Sequence, residues 1–334
     1  MKPANIILFV ALLVFLAAAG AGFMLYQYAV TPTSATNTTI VVWIKPGQGF
    51  SETVTQLQKV GLVRHPTKFR WLVRLRGDDR RIQAGEYVLQ TSMSPWTILD
   101  TLVRGEILLH KVVIPEGATL VQIARILETA GLVSRDAFLR AACDRGLVKA
   151  LGLEGNTFEG YLFPETYYFP KGVTPKQVIR KMVAHFRSVF TPAWTKRARA
   201  IGLTTHQVVT LASIVEKETA KPEERPLISA VFLNRLKRRM RLESDPTVIY
   251  GIKDFDGNLT RKDLQTVTPY NTYQIMGLPP GPIANPGRAS IEAVLYPSDQ
   301  PYLYFVSRND GSHHFSRTLR EHNRMVRRYQ HRRP

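Results

Sequence analysis

An internal repeat restricts the fold of this chain more than any other feature of its sequence. The first copy, KPGQGFSETVTQLQKVGLV, spans residues 45–63, and the second, IPEGATLVQIARILETAGLV, spans residues 114–133, with an offset of 70 residues between matching positions. Each copy predicts a strand, a Pro/Gly turn and an amphipathic helix. Ser51 is the predicted N-cap of the first helix, and Gly61 and Gly131 are the predicted C′ residues.

A second half-unit recurs in the same way. AGEYVLQTSMSPWTILDTLVRG at residues 84–105 and YLFPETYYFPKGVTPKQVIRKM at residues 161–182 each predict a strand, a turn and a helix that opens near a proline. Residues 41–185 therefore predict two small α+β units, and the second unit carries an insertion at about 134–157.

An uncharged apolar stretch near the N-terminus predicts a membrane anchor. Residues 5–28 carry no charge, and the charged residue that follows Lys2 is Lys45. About 20 apolar residues span the hydrocarbon core of a bilayer. A cleaved signal peptide is the alternative, with Ala17–Ala19 as its small-residue site, but the apolar run is longer than a usual signal-peptide core. No second span follows, so the rest of the chain is expected on one side, outside the cytoplasm.

The charge of the chain favours an anionic partner. The 334 residues include 45 Lys and Arg against 26 Asp and Glu, a formal net charge of +19. This excess suits nucleic acid, an anionic membrane surface or an acidic polymer. The sequence shows no zinc-finger spacing, aromatic RNA-binding signature or heptads, and the anchor argues against DNA, so no nucleic acid partner is predicted. Cys143 is the single cysteine, which excludes an intrachain disulfide.

The segment LASIVEKETA, at residues 211–220, places two glutamates at the end of an apolar helix. Residues 204–219 predict a helix whose apolar stripe ends on Glu218, whereas Glu216 points in nearly the opposite direction. Partial desolvation is expected to raise the pKa of the Glu218 carboxyl above its ordinary value of about 4.3. A carboxyl that stays protonated near neutral pH can act as a general acid. The alternative is an ordinary end-of-helix charge or an arginine partner.

A set of ordered motifs resembles the endolytic murein transglycosylase (MltG/YceG-like) family. EGYLFPETY and LASIVEKETA are followed by VFLNRL, LESDPTVIYG, PYNTY, GLPPGPIANPG, YLYFV and GSHHFS. The likeness runs from about Trp43 to His322, and the N-terminal anchor fits it as well. Each motif is weak by itself, whereas the ordered set is specific.

The resemblance implies an α+β fold with a single N-terminal transmembrane helix, a LysM-like α/β module and an α+β catalytic domain. The predicted boundaries are 1–4 for a short cytoplasmic tail, 5–28 for the anchor, 29–40 for a linker, 41–110 for the LysM-like module and 111–334 for the catalytic domain. The protein is expected in the inner (plasma) membrane, with its catalytic domain in the periplasm. The implied partners are peptidoglycan glycan strands, the membrane and peptidoglycan synthases, with no cofactor and no metal.

The family's catalytic glutamate is the second of the EKET motif, which falls on Glu218. The resemblance implies that Glu218 protonates the oxygen between N-acetylmuramic acid and N-acetylglucosamine, and then takes the proton of the muramic C6 hydroxyl. That hydroxyl closes on C1 and leaves a 1,6-anhydro end, so the enzyme is a lyase. One carboxyl suffices, whereas ordinary glycosidases use two. The implied role is the trimming or termination of nascent strands.

Six further residues are predicted to bind substrate: Glu159, Glu165, Asp245, Tyr270, Asn271 and Tyr273. Aromatic faces and an amide suit sugar rings and N-acetyl groups. For Asp245 the alternative is an Asx turn before Pro246, and for the tyrosines and Asn271 it is loop packing. His313 lies in a G-x-H-x-F pattern whose spacing fits no zinc motif, so a structural role is predicted.

Two other functions remain open from the sequence. One is a hydrolase in which Asp245 or Glu243 is a second carboxylate beside Glu218, and its products would be heavier by one water. The other is a non-catalytic peptidoglycan-binding scaffold of the wall-synthesis machinery. The intact EKET motif argues against the scaffold.

Overall fold

The computed structural model describes residues 3–219 and 221–330 of the chain. The chain divides into two compact units. Unit 1 comprises Met1–His110 with Pro170–Gly172, and unit 2 comprises Lys111–Phe169 with Val173–Pro334. Of the predicted cytoplasmic tail, residues 1 and 2 lie outside the described residues. The basic stretch at residues 317–334 predicts a C-terminal helix, and its residues 331–334 also lie outside the described residues.

Unit 1 joins a long apolar helix to a small sheet covered by helices. Helix α1 (Pro3–Val30) is followed by β1 (Thr39–Ile44), α2 (Phe50–Lys59), α3 (Pro66–Arg76), β2 (Gly85–Gln90) and α4 (Pro95–Arg104). Strands β1 and β2 pair antiparallel, from Thr39 opposite Gln90 to Ile44 opposite Gly85. The end of α1 packs into the core of this unit, since Ala29 is only 2% exposed.

Helix α1 is long and apolar enough over Asn5–Val30 to cross a membrane. It continues two residues beyond the predicted end of the anchor at 28, and β1 begins inside the predicted linker at 29–40.

Unit 2 begins with the second copy of the repeat and continues into a mainly helical body. Its elements are β3 (Leu109–Ile114, whose first two residues fall in unit 1), α5 (Leu120–Thr129), α6 (Arg135–Ala142), α7 (Arg145–Ala150), β4 (Glu165–Pro170), α8 (Pro175–Val189), α9 (Pro192–Ala200), α10 (Thr205–Glu218), α11 (Arg225–Lys237), α12 (Asp245–Gly251), α13 (Arg261–Gln265), α14 (Arg288–Leu295), β5 (Tyr304–Ser307), β6 (His313–Ser316) and α15 (Leu319–Tyr329). Strand β3 pairs with β4, and β5 pairs antiparallel with β6.

The structure confirms the mixed helix and strand composition and the repeated strand–turn–helix pattern. β1 and α2 correspond to β3 and α5, and the insertion at 134–157 forms α6 and α7. Gly61 and Gly131 follow their helices with φ of 80° and 66°, as predicted for C′ residues.

Three sequence predictions were wrong in detail. Ser51 is not an N-cap, because α2 starts one residue before it and Gly49 takes the capping position without a side-chain bond. From Pro222 the sequence predicts a second helix through about Arg239, but the chain first forms a single 3₁₀ turn at Pro222–Glu224 and becomes α-helical at Arg225. The segment YLYFV predicts a strand at residues 302–306, whereas β5 starts two residues later and ends one residue later, at Tyr304–Ser307.

Candidate active site

Helix α10 carries the candidate catalytic carboxyl on its last residue. A reciprocal pair of bonds caps its start: the Gln207 N–H donates to Thr204 Oγ1 at 3.2 Å, and the Thr204 N–H donates to Gln207 Oε1 at 2.8 Å. Residues 208–215 are all buried, so the apolar stripe is anchored in the core of unit 2. After Glu218 the backbone becomes extended at Thr219, with φ of −142°.

Glu218 lies at the boundary between this core and the surface. It is partly exposed, whereas its neighbours Val215 and Thr219 are buried. Loss of solvation raises the pKa of the Glu218 carboxyl from 4.5 to about 7, against the hydrogen bond from Ser244, and the charge of Asp245 adds to the rise. The rise in pKa that the stripe predicted is therefore confirmed.

Ser244 supplies the hydrogen bond to the candidate acid. It is 1% exposed, and its Oγ donates to Glu218 Oε1. The Ser244 N–H donates to Thr272 Oγ1 at 3.0 Å, and the Ser244 carbonyl accepts from Thr247 Oγ1 at 2.6 Å. Because Thr247 has given its proton to that carbonyl, Thr272 is the donor in the 2.8 Å bond between the two threonine hydroxyls. Ser244 is thus held from both sides.

Asp245 and Tyr273 lie close to Glu218. Asp245 is the exposed first residue of α12, and the Tyr273 hydroxyl donates to its Oδ1 at 2.7 Å. Burial raises the pKa of Tyr273, and the charges of both Asp245 and Glu218 add to that rise. These two predicted substrate residues therefore share the electrostatic surroundings of the candidate acid.

Tyr270 and Asn271 occupy the loop that precedes Tyr273. Tyr270 is partly exposed and packs on Tyr250, with ring centroids 4.8 Å apart. Asn271 is fully buried, and its Nδ2 donates to three carbonyls of residues 263–266 while its Oδ1 accepts from the Tyr273 N–H at 2.9 Å. The amide of Asn271 shapes the loop from inside.

Glu159 is a buried carboxyl that accepts hydrogen bonds from several segments of unit 2, rather than a carboxyl at the surface. It is 3% exposed, and both of its oxygens accept from the Leu120 N–H at 3.2 Å. Asn285 Nδ2 donates to it at 2.9 Å and the Tyr250 hydroxyl at 3.2 Å. Burial raises the pKa of Glu159 to about 8. Substrate binding by this residue stays a prediction, and its contacts indicate a structural task.

Glu165 is placed at a different part of unit 2, on the first residue of β4. Its side chain is 51% exposed and lies 3.7 Å from His185 Nε2. Within residues 3–219 and 221–330, none of its hydrogen bonds or ion pairs reaches α10 or α12.

Glu216 has partners that are separate from those of Glu218, as expected for residues two apart on a helix. Its side chain is 6% exposed, and its Oε1 lies 3.2 Å from Arg225 Nη2. Its Oε2 accepts from the Gly287 N–H at 2.8 Å, at the start of α14. The glutamate that pairs with an arginine is therefore Glu216, which leaves Glu218 available for chemistry.

We expect Glu216→Gln to retain most of the enzymatic activity while it lowers stability. The amide keeps the shape but weakens a buried ion pair, which costs roughly 1–3 kcal/mol. Chemical denaturation and cleavage rates measured on the same preparation check this result. Complete loss of cleavage in a folded variant would contradict the assignment of the two glutamates.

Comparison with known proteins identifies the family. Residues 42–328 match the sequence pattern of the YceG-like family. The chain belongs to the YceG-like family. It is 32% identical to an endolytic murein transglycosylase of Bacillus subtilis, over 87% of this chain and 85% of that protein.

Other relatives agree with this membership. A Streptococcus pneumoniae protein of the same name is 32% identical over 95% of this chain, which spans 64% of that protein's length. The crystal structure of a YceG-like protein from Listeria monocytogenes is 34% identical, with a TM-score of 0.60, and the match covers 87% of this chain and all of that one.

Sequence reasoning missed three polar residues of this YceG-like site. Ser244 lies in SDPT, where its neighbour Asp245 was chosen instead, and Asn285 lies in IANPG, a segment from which no residue was chosen. Arg235, in VFLNRL, is 7% exposed and donates to the carbonyls of Leu303, at 2.7 Å, and Leu242, at 2.9 Å. A buried polar residue inside an apolar helix was the signal that could have found Arg235.

Glu243, which the hydrolase alternative invoked, and His313, for which a structural role was predicted, both have protein partners in this family member. Glu243 Oε2 lies 3.0 Å from Arg235 Nη1. His313 Nδ1 lies 2.6 Å from Glu224 Oε2, and the backbone N–H of His313 donates to Glu224 Oε1 at 2.8 Å. Although burial of Glu224 opposes it, these bonds lower the pKa of that carboxyl. The structural role predicted for His313 accords with these contacts.

Proposed function

We propose that this protein is a membrane-anchored endolytic lytic transglycosylase that cleaves the MurNAc–GlcNAc β-1,4 bond of peptidoglycan glycan strands and leaves 1,6-anhydro-MurNAc ends. The observation that carries the proposal is Glu218, which ends the buried α10 with a pKa raised to about 7 and a hydrogen bond from Ser244. The names of the relatives support the substrate and the reaction class.

Glu218 serves in both halves of the reaction. Its protonated carboxyl gives the proton to the glycosidic oxygen, the C1–O bond breaks and the GlcNAc side leaves with a free 4-hydroxyl. The muramic C6 hydroxyl then bonds to C1 and returns its proton to the Glu218 carboxylate. No water is consumed, and the nucleophile is already part of the substrate, so it needs no separate ordering. A pKa near the working pH suits a group that must both give and take a proton.

Residues near Glu218 supply the remaining functions of the site. Ser244 donates to Oε1, which leaves Oε2 as the oxygen that exchanges the proton with substrate. Asp245 and Tyr273 act as a joined hydrogen-bonding pair toward the sugar, and Tyr270 offers a ring face. Glu159 and Asn271 support the site from inside, and Glu165 on β4 contributes to the binding of a more distant part of a long glycan.

The remaining parts of the chain hold this site close to its substrate. Helix α1 anchors the enzyme in the inner membrane with the catalytic domain at 111–334 in the periplasm, and residues 41–110 form a LysM-like glycan-binding module. The net charge of +19 suits glycan strands whose peptide stems carry carboxylates. The enzyme trims or terminates nascent strands, and peptidoglycan synthases are its partners.

Mass spectrometry of the products tests this function. The full-length protein in detergent is incubated with purified glycan strands, and we expect fragments with 1,6-anhydro ends. Products heavier by one water would replace the proposal with hydrolysis by two carboxylates. Absence of cleavage by the folded protein would favour the non-catalytic scaffold.

The pH dependence of cleavage is expected to follow Glu218. The first step needs the protonated acid, so the rate falls as the pH rises through about 7. The bond from Ser244 stabilises the carboxylate and lowers the Glu218 pKa, so Ser244→Ala should move this fall to higher pH and reduce the maximal rate. Ser290→Ala is the matched control, because Ser290 is fully buried and its hydroxyl has no partner among the described residues. Identical pH profiles for the wild type and Ser244→Ala would contradict the assigned role.

A further inference from the structure

Helix α3 of unit 1 lies beside the second half of α1, the helix proposed as the membrane anchor. A groove separates the two helices, and its lining includes Ala18, Gly22, Leu25, Lys68, Trp71 and Leu75. Nearer the end of α1, Tyr28 is 6.0 Å from His65, measured between ring centroids. Helix α3 therefore runs antiparallel to α1, from Tyr28 back toward Ala18.

The length of α1 places this pairing near the membrane surface. Its 28 residues give about 42 Å at 1.5 Å per residue, whereas the hydrocarbon core is about 30 Å thick and needs about 20 residues. Counted from Pro3, next to the charged Lys2, those 20 residues end near Gly22. Trp71 and Leu75 line the same groove as Ala18 and Gly22, so they lie at the outer boundary of the hydrocarbon core.

The outward face of α3 has the composition of a membrane-surface helix. Trp71 and Leu75, one turn apart on the same face, are 56% and 71% exposed, so two large apolar side chains stand next to each other at the surface. The exposed Arg74 stands between them in sequence, and none of the ion pairs among the described residues includes it. The sequence of α3, PTKFRWLVRLR, has four basic residues and no acidic one. Tryptophan and basic side chains favour the headgroup region of anionic bilayers.

We propose that α3 docks in the outer leaflet of the membrane, with Trp71 and Leu75 among the upper acyl chains and Arg74 at anionic lipid phosphates. The occupant of this face is lipid, because the face is continuous with the membrane-spanning surface of α1. The inference rests on the anchoring role proposed for α1. Docking by both α1 and α3 fixes unit 1 against the bilayer surface, whereas one helix alone would leave it free to rotate.

Fluorescence quenching in vesicles tests the docking. The full-length protein is reconstituted in vesicles of phosphatidylglycerol and phosphatidylethanolamine, with bromine on the upper part of the acyl chains. The chain has four tryptophans, and none lies in α1. We expect the bromolipid to quench the wild type and Trp71→Phe to lose most of that quenching. Trp194→Phe is the control, since Trp194 is 7% exposed in the core of unit 2, and it should keep the quenching.

A second variant tests the charge. Arg74→Glu alters an exposed residue and should fold normally, but it should weaken the quenching of Trp71 in the anionic vesicles. Unchanged quenching in Trp71→Phe would overturn the docking. The docking would also be overturned if the wild-type protein floated with the vesicles but showed no quenching. In that case the anchoring role of α1 would still stand. Protein that does not float with the vesicles would overturn both the anchor and the docking.

Discussion

Glu218→Gln is expected to fold like the wild type and to lose cleavage by about 10³-fold or more, since one residue supplies both the acid and the base. The amide preserves the shape of the side chain at the end of α10 and accepts the hydrogen bond from Ser244 through its oxygen. It has no proton that it can give to a glycosidic oxygen.

The measurement is the rate at which anhydro-ended fragments appear from purified glycan strands. Glu216→Gln is the matched control, because the same chemical change is made on the same helix two residues away, at a carboxyl whose partners are Arg225 and Gly287. Cleavage by Glu218→Gln at the wild-type rate would exclude Glu218 as the acid. Equal loss in both variants would point to damage to α10 rather than to chemistry.

Glu159→Ala is expected to destabilise unit 2 by roughly 3–5 kcal/mol. Truncation leaves the Leu120 N–H and one Asn285 N–H without their acceptor and opens a cavity at a site that is 3% exposed. Glu159→Gln is the matched control. Its oxygen can accept from Leu120 and Asn285 while its amide donates to the Tyr250 hydroxyl, so it should stay close to wild-type stability.

The pH dependence of stability separates these variants further. The folded state raises the Glu159 pKa from 4.5 to about 8, so between these values the folded protein keeps a proton that the unfolded chain has released. The free energy of unfolding therefore falls as the pH rises through this range. Glu159→Gln has no such proton and should show a flatter profile. Urea unfolding followed by far-ultraviolet circular dichroism, at pH 5 and pH 8, measures both effects. A wild-type profile as flat as that of the glutamine variant would contradict the buried, protonated Glu159.

Hydrophobic periodicity predicted those elements of this protein that are determined by residues close together in the sequence. The repeat gave the two strand–turn–helix pairs because each helix repeats its apolar face and ends on a glycine at positive φ. The same stripe pointed to Glu218, because a polar residue that continues an apolar face must lose solvent. The start of β5 was displaced because the strand begins where it pairs with β6, with Tyr304 opposite Ser316.

The surroundings of Glu218 could not be predicted in this way. Ser244 contacts Glu218 across 26 positions of sequence, and Asn285 contacts Glu159 across 126. Such contacts depend on how the loops pack against the helices. The hydrophobic periodicity of a single segment does not predict that packing. Asn271 is an example. Its residue type suited sugar recognition, but its side-chain amide makes hydrogen bonds to the backbone of its own loop.

The capping of α5 has a consequence for how the two copies of the repeat have diverged. In the first copy, Gly49 is the N-cap of α2 and makes no side-chain hydrogen bond to it, and among the described residues no carboxylate accepts from the first amide of α2. In the second copy, the amide that opens α5 is bound by Glu159, which also holds Asn285 and Tyr250. A duplicated module has thus become part of the enzyme in one of its copies. Exchange of the first copy for a homologous module should be tolerated, whereas exchange of the second would require Glu159 and its partners to be transplanted as a set.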